Sequence, residues 1–253
     1  MRRRVVVDGA GVIGAARLFV VAWKLLVVVG DWKPYILPPP ESVAARFVSA
    51  WADGTMAPNV TTTLLEIGLG FAVGAGLAVL LGYLLARSRL AARLLSPYVV
   101  AAQSTPILAL APFFVLWFGT GLLSKVVMCS LIVFFPVAVA TMVGVRQVDR
   151  DLLEMTRSFR ASRLQTLTRI EIPGALPSIF GGLRVGVTLA VIGAVISEWA
   201  GADQGLGVLL NVARGSRFDM PLALATLVTI AGLGVACYLI VIVVERRLVG
   251  DRG

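Results

Sequence analysis

Six arginines and four carboxylates lie in the 28 residues from Arg146 to Pro173, between two strongly apolar runs. Apolar residues recur among them at helical spacing: Leu152, Leu153, Met155 and Phe159, then Leu164, Leu167 and Ile170. Asp149 or Asp151 can cap a first helix, and the helix dipole favours Asp151 and Glu154 in its first turn. A second helix begins near Ser162. The result is two short helices set at an angle, apolar on one side and basic on the other. Charges arranged this way suit ion pairing and docking better than bond chemistry. Two uses follow: a surface that meets a soluble partner, or an amphipathic segment on anionic lipid headgroups.

Catalytic chemistry is scarce elsewhere. The chain has no histidine, which excludes a Ser-His-Asp triad, an HExxH zinc site and a histidine proton relay. Cys129 and Cys237 sit in separate apolar runs and read as small hydrophobes, not as a metal pair. The nearest approach to a phosphate loop, Gly119-Thr-Gly-Leu-Leu-Ser124-Lys125, lacks the second glycine. No catalytic residue, metal ligand or cofactor site is expected, and the chain is not expected to be an enzyme.

Composition assigns the class. Hydrophobic residues make up 58% of the 253, and charged residues 15%; the mean hydropathy is +0.91. Spanning a bilayer takes about 20 apolar residues. Ile67–Ala86, Leu94–Ser124, Val126–Val145 and Met220–Val244 meet that requirement without an ionised side chain inside them. Gly11–Gly30 does so around Arg17 and Lys24, whose long side chains can reach the interface from near its ends, and Gly174–Ala200 does so around Arg184 and Glu198. The expectation is an all-α integral membrane protein with six transmembrane helices. Residues 1–253 form one transmembrane domain, and 146–173 is its charged loop. Arg2, Arg3 and Arg4 ahead of the first run also admit a signal-peptide reading, but no small-x-small cleavage site follows Gly30.

Charge sets the orientation. With Met1 inside, the inner segments hold 15 of the 23 Lys and Arg, and the outer segments hold 5, Lys125 among them. Positive residues stay on the cytoplasmic side. Both termini and the Arg146–Pro173 loop are therefore expected in the cytoplasm. Topology accounts for the net charge of +9, so no nucleic-acid partner is implied.

Smaller features remain open in the sequence. Leu37-Pro38-Pro39-Pro40 locks extended backbone, after which Glu41–Trp51 can form a short amphipathic helix on the outer surface. Gly70 and Gly74 stand at GxxxG spacing, for packing either within the chain or against a second copy. Gln103, Ser104 and Thr105 lie beside Pro106 and Pro112, which free backbone carbonyls that lipid cannot satisfy. That patch faces either a translocation path or a satisfied kink. Glu198 is either interfacial or part of a gate or outer contact. Arg184, about 15 Å along the helix from Pro173, is either a bonded interior charge or faces an inner vestibule.

Several motifs carry a family resemblance. Glu154-Met155-Thr156, then position 160, then Ile170-x-Ile172-Pro173, resembles the EAA loop of ABC-importer permeases, in which Glu-Ala-Ala is followed by Gly and later by Ile-x-Leu-Pro. Ala161-Ser162-Arg163, Pro173-Gly-Ala-Leu-Pro177, Gly182-Leu-Arg184, Leu116-Trp117-Phe118-Gly119 and Ser197-Glu198-Trp199 with Gly205-Leu206-Gly207 add to it. Over roughly residues 35–245 the chain resembles permeases of nitrate, sulfonate and taurine importers. Leu189–Trp199 is similar to the branch handling thiamine-precursor pyrimidines or riboflavin.

The resemblance implies a type I importer permease fold in a bacterial inner membrane. It implies a homodimer lining the path, two copies of a cytoplasmic ATPase that alone use ATP and Mg, and an extracytoplasmic solute-binding protein. Glu154 would anchor the docking helix, and Phe159, Arg160 and Leu164 would supply contact area, with Met155, Thr156, Ser162, Ile170 and Pro173 completing the loop. Gln103, Ser104, Thr105, Arg184 and Glu198 would belong to the path or gate. The family glycine is Arg160 here, which requires either a strained left-handed residue or a different turn. An ion-coupled secondary transporter is the alternative, though it would need ion sites at mid-membrane.

Overall fold

The computed structural model describes residues 2–104 and 106–250. Among these the chain is helical, with no strand. Four of the described helical stretches are long and apolar enough to cross a membrane: Met56–Arg87, Leu122–Arg146, Arg163–Gly201 and Met220–Val249. The chain divides into two compact units, Met1–Asn59 with Leu209–Thr229, and Val60–Val208 with Ile230–Gly253.

The first unit contains α1 (Arg2–Val29) and α2 (Pro40–Ala52). Helix α1 covers the first expected span. Pro39 is extended at φ −67° and ψ 150°, and Pro40 opens α2, where a missing N–H leaves no partner unmet. Lys24 pairs with Glu41 across the two helices. Arg46 Nε lies 2.8 Å from Asp219 Oδ2, and its other arm reaches Asp53 at 3.4 Å. Just beyond α2, Asp53 Oδ1 accepts the Thr55 N–H at 2.9 Å. Hydrogen bonding from Thr55 holds the Asp53 carboxylate below its ordinary value.

The remaining helices are α3 (Met56–Arg87), α4 (Arg89–Ser104), α5 (Ala111–Phe118), α6 (Leu122–Arg146), α7 (Arg150–Ser158), α8 (Arg163–Thr166), α9 (Ile172–Gly201), α10 (Leu206–Arg214) and α11 (Met220–Val249). In the second unit one core joins Ile67, Ala75 and Ala78 of α3 to Val133 and Val137 of α6. It continues through Phe180, Val187 and Ala190 of α9 to Cys237 and Val241 of α11. Small residues let these backbones meet closely. A Cβ on Gly74 would lie 2.5 Å from the Ser130 carbonyl oxygen, and one on Gly70 would collide with Cys129. Gly70 and Gly74 therefore serve packing within the chain.

Two expectations change here. The third apolar run, Leu94–Ser124, is not one helix: it divides into α4, a 3₁₀ turn at Ile107–Leu110, and α5, with α6 beginning at Leu122. Pro106 and Pro112 withhold the N–H groups a continuous helix would need, and Gly119 closes α5 at φ +80°. Conversely, α8 and α9 are not separated at Pro173. A π turn at Leu167–Glu171 joins them, with the Ile172 N–H reaching back five residues to the Leu167 carbonyl. Widening by one residue absorbs the strain that Pro173 and Pro177 bring to a helix.

Candidate functional site

The hairpin α7–α8 is built from its caps inward. Asp149 Oδ1 accepts the Asp151 N–H at 2.8 Å and starts α7, with Asp151 in the first turn. The helix ends in a left-handed residue, Arg160, at φ +53°. The Ala161 N–H then reaches the Thr156 carbonyl at 2.9 Å, a six-to-one closure that normally places glycine at the position Arg160 holds. Arg160 thus accepts the strain and keeps the family turn. Ser162 starts α8 with a reciprocal capping box: its Oγ accepts from the Gln165 N–H, and the Gln165 side chain accepts from the Ser162 N–H.

These bonds sort the expected docking residues. Met155, Phe159 and Leu164 stand exposed, Phe159 at 79% and Leu164 at 68%. Glu154 and Arg160 are also exposed, and Ile170 is half-buried. Pro173 lies at the start of α9. Thr156 is buried inside the hairpin, where its hydroxyl donates to the Leu153 carbonyl at 2.8 Å. Thr156 therefore packs within the hairpin.

A residue not singled out in the sequence fixes the hairpin to the bundle. Glu171, the variable position of Ile170-x-Ile172-Pro173, is 2% exposed. It accepts the Tyr83 hydroxyl at 3.0 Å and lies 3.1 Å from Arg87 of α3. Arg146 of α6 donates to the Leu85 carbonyl of α3 at 3.0 Å. Together these ties hold the foot of the hairpin to the last turns of α3 and α6. A cavity of about 380 Å³ between them is lined by Arg87, Leu153, Thr156, Ala161, Arg163, Thr166 and Glu171.

Of the residues expected on a path, Arg184 and Glu198 have described side chains. Arg184 pairs with Glu245 of α11 at 3.1 Å, so it is a bonded charge. Gln103 and Ser104 close α4, but their side chains, and all of Thr105, lie outside the described residues.

Glu198 is 2% exposed, so the interfacial alternative does not hold. It lies at the opposite end of α9 from the hairpin, where α10 begins. Its carboxylate accepts the Thr63 hydroxyl at 2.6 Å and the Gly207 N–H of α10. Thr63 Oγ in turn accepts the Leu206 N–H at 2.8 Å. Gly205 adopts φ +140°, and a Cβ there would run into the Glu198 carboxyl group. The Trp199 indole N–H donates to the Gly207 carbonyl at 2.8 Å. The motif Ser197-Glu198-Trp199 with Gly205-Leu206-Gly207 is therefore a helix corner whose carboxylate caps α10. Glu66 of α3 meets Glu198 there. Lys125, expected in an outer loop, is instead 1% exposed in the first turn of α6. Its ammonium donates to the carbonyls of Thr120 and of Gly201 at the end of α9.

Apolar helices of spanning length carrying an exposed, charged hairpin describe a multi-pass membrane protein. Residues 78–250 match the family described as binding-protein-dependent transport system inner membrane component, and the chain belongs to it. It is 40% identical over 232 residues to a riboflavin transport system permease protein of Chloroflexus aurantiacus, covering 92% of this chain and 86% of the relative. It is 35% identical over 219 residues to a formylaminopyrimidine transport permease protein of Halalkalibacterium halodurans, covering 86% of each. In fold it is similar to a solved inward-facing conformation of the MetNI methionine ABC transporter, with a TM-score of 0.68 and 19% identity over 76% of this chain and 95% of that one. The fold is that of type I importer permeases, and the chain is an ABC-importer permease subunit.

Proposed function

We propose that two copies of this chain line a path for a small solute, and that each seats its α7–α8 hairpin in a cytoplasmic ATPase that uses ATP and Mg. An extracytoplasmic binding protein delivers the solute to the other mouth. One observation carries this reading: Met155, Phe159 and Leu164 are exposed on a hairpin whose backbone is fixed by a capping box, a six-to-one turn and Glu171. Holding a large apolar side chain rigidly in the open is the mark of an interface anchor. The excess of Lys and Arg on the inner segments favours a cytoplasmic hairpin and cytoplasmic termini.

A nitrogen heterocycle of the riboflavin or formylpyrimidine kind is the solute class best supported, because relatives at 40% and 35% identity carry those names. Sulfonate, taurine or nitrate is the second choice. Gln103, Ser104 and Thr105 are proposed to face the path, since Pro106 and the break after α4 free carbonyls that need polar company.

The test is reconstitution in liposomes with the ATPase and the binding protein. Phe159→Glu should lower ATP hydrolysis stimulated by the binding protein more than about tenfold, the scale of losing an aromatic anchor. Full ATP-dependent import by that variant would overturn the docking role. Uptake driven by a proton or sodium gradient without the ATPase would favour a secondary transporter instead.

A further inference from the structure

We propose that Glu66 and Glu198 share one proton at the α9–α10 corner, so that a neutral Glu66 donates to the Glu198 carboxylate and ties α10 to α3. Both residues are 2% exposed, and Thr63, one turn before Glu66 on α3, donates to Glu198, which sets the two carboxyl groups beside each other. An ionised carboxylate only accepts, so a bond between two of them requires a proton. The surrounding donors decide where it sits. Glu198 already receives the Thr63 hydroxyl and the Gly207 N–H. Two converging donors mark Glu198 as the charged member. Glu66 Oε2 is buried with no hydrogen-bond partner. As the carbonyl oxygen of a neutral acid it is tolerable, whereas a bare carboxylate oxygen in the same place would not be.

The local charge count agrees. From α6, Lys125 supplies a buried ammonium, and Cys129 of the same helix is buried close by. Asp203, just after α9, is exposed. One buried ammonium against two buried carboxylates leaves one uncompensated negative charge, which a proton removes. Since Glu198 caps the first turn of α10, the proton on Glu66 adds a second tie between that cap and α3, beside the one Thr63 makes. The bond is a property of the chain alone, whatever solute it carries.

The purified full-length chain, in detergent or nanodiscs, tests this by infrared spectroscopy in H₂O and D₂O. At neutral pH the chain should show the C=O band of a protonated carboxylic acid that shifts in D₂O, and Glu66→Gln should remove it. Glu66→Gln should keep the wild-type Tm, because its amide N–H replaces the donated proton. Glu198→Gln should lower Tm, because its NH₂ group can be turned only toward donors. Sodium or potassium chloride should leave Tm as it is in choline chloride. Absence of a band that Glu66→Gln removes, or a Tm loss in Glu66→Gln equal to that in Glu198→Gln, would overturn the proposal. So would a Tm that rises with sodium or potassium, which would put a metal ion where the proton is placed.

Discussion

The two ends of α9 handle charge in opposite ways. At its start the hairpin carries charged and apolar side chains in the open, and backbone bonds, the Ser162–Gln165 capping box and Glu171 hold its shape. At its far end, about 45 Å of helix away, Glu198, Glu66 and Lys125 are sealed inside, where Thr63 and a helix N–H meet Glu198 and helix-end carbonyls meet Lys125. The hairpin leaves its large side chains unpartnered, as suits an element that waits for another protein. The corner spends its polar groups on itself. Exposure separates a docking surface from a joint even where both are rich in charge.

The sharpest way to break that contrast is Glu198→Ala. It strips the cap from α10 and removes the buried acceptor of the Thr63 hydroxyl and the Gly207 N–H, so it should destabilise the chain by about 3–5 kcal/mol, the scale for breaking a buried charged group's contacts. A Tm within a degree of wild type would show that the corner is no more committed than the hairpin. A smaller effect of opposite sign is expected at the hairpin. Arg160→Gly should remove the strain of a left-handed arginine, raising stability by about 1–2 kcal/mol and Tm by roughly 2–4 °C or somewhat more. An unchanged or lower Tm would mean that the arginine side chain compensates for its backbone.

Asp53, an exposed carboxylate away from both ends, calibrates the comparison. Thr55 holds it below its ordinary value of 3.8. As pH falls, the unfolded chain therefore takes up this proton first. The stabilisation is complete above that value and is lost below it as the folded group titrates. The wild-type Tm should fall slightly relative to Asp53→Asn on acidification, and by less than any change at Glu198. An equal fall in both proteins would remove Asp53 from the account.

Much of the hairpin was legible because its signals are local. Asp149, the helix start near Ser162, and the helical spacing of Met155, Phe159 and Leu164 all act within a turn or two, and the chain folds there as its neighbours dictate. Even the doubt over Arg160 reduced to a choice between two conformations of one residue. Prolines marked where the third run breaks but not how many pieces result, because that depends on which freed carbonyls find partners.

The corner was hidden for the converse reason. Glu66 and Glu198 are 132 positions apart, and nothing in either segment says that α3 and α9 bring them together. Lys125 looked like a loop cation because a lone lysine beside an apolar run carries no sign of the carbonyls it will meet. Glu171 occupied a position the motif leaves variable, yet Tyr83 and Arg87 make it the foot of the hairpin. By itself the sequence determined a polytopic helical chain with a structured, charged hairpin, since hydropathy and capping are properties of neighbours along the chain. Only the tertiary structure decided which buried charges face one another, since long-range electrostatic partners are set by helix packing and leave no periodic trace.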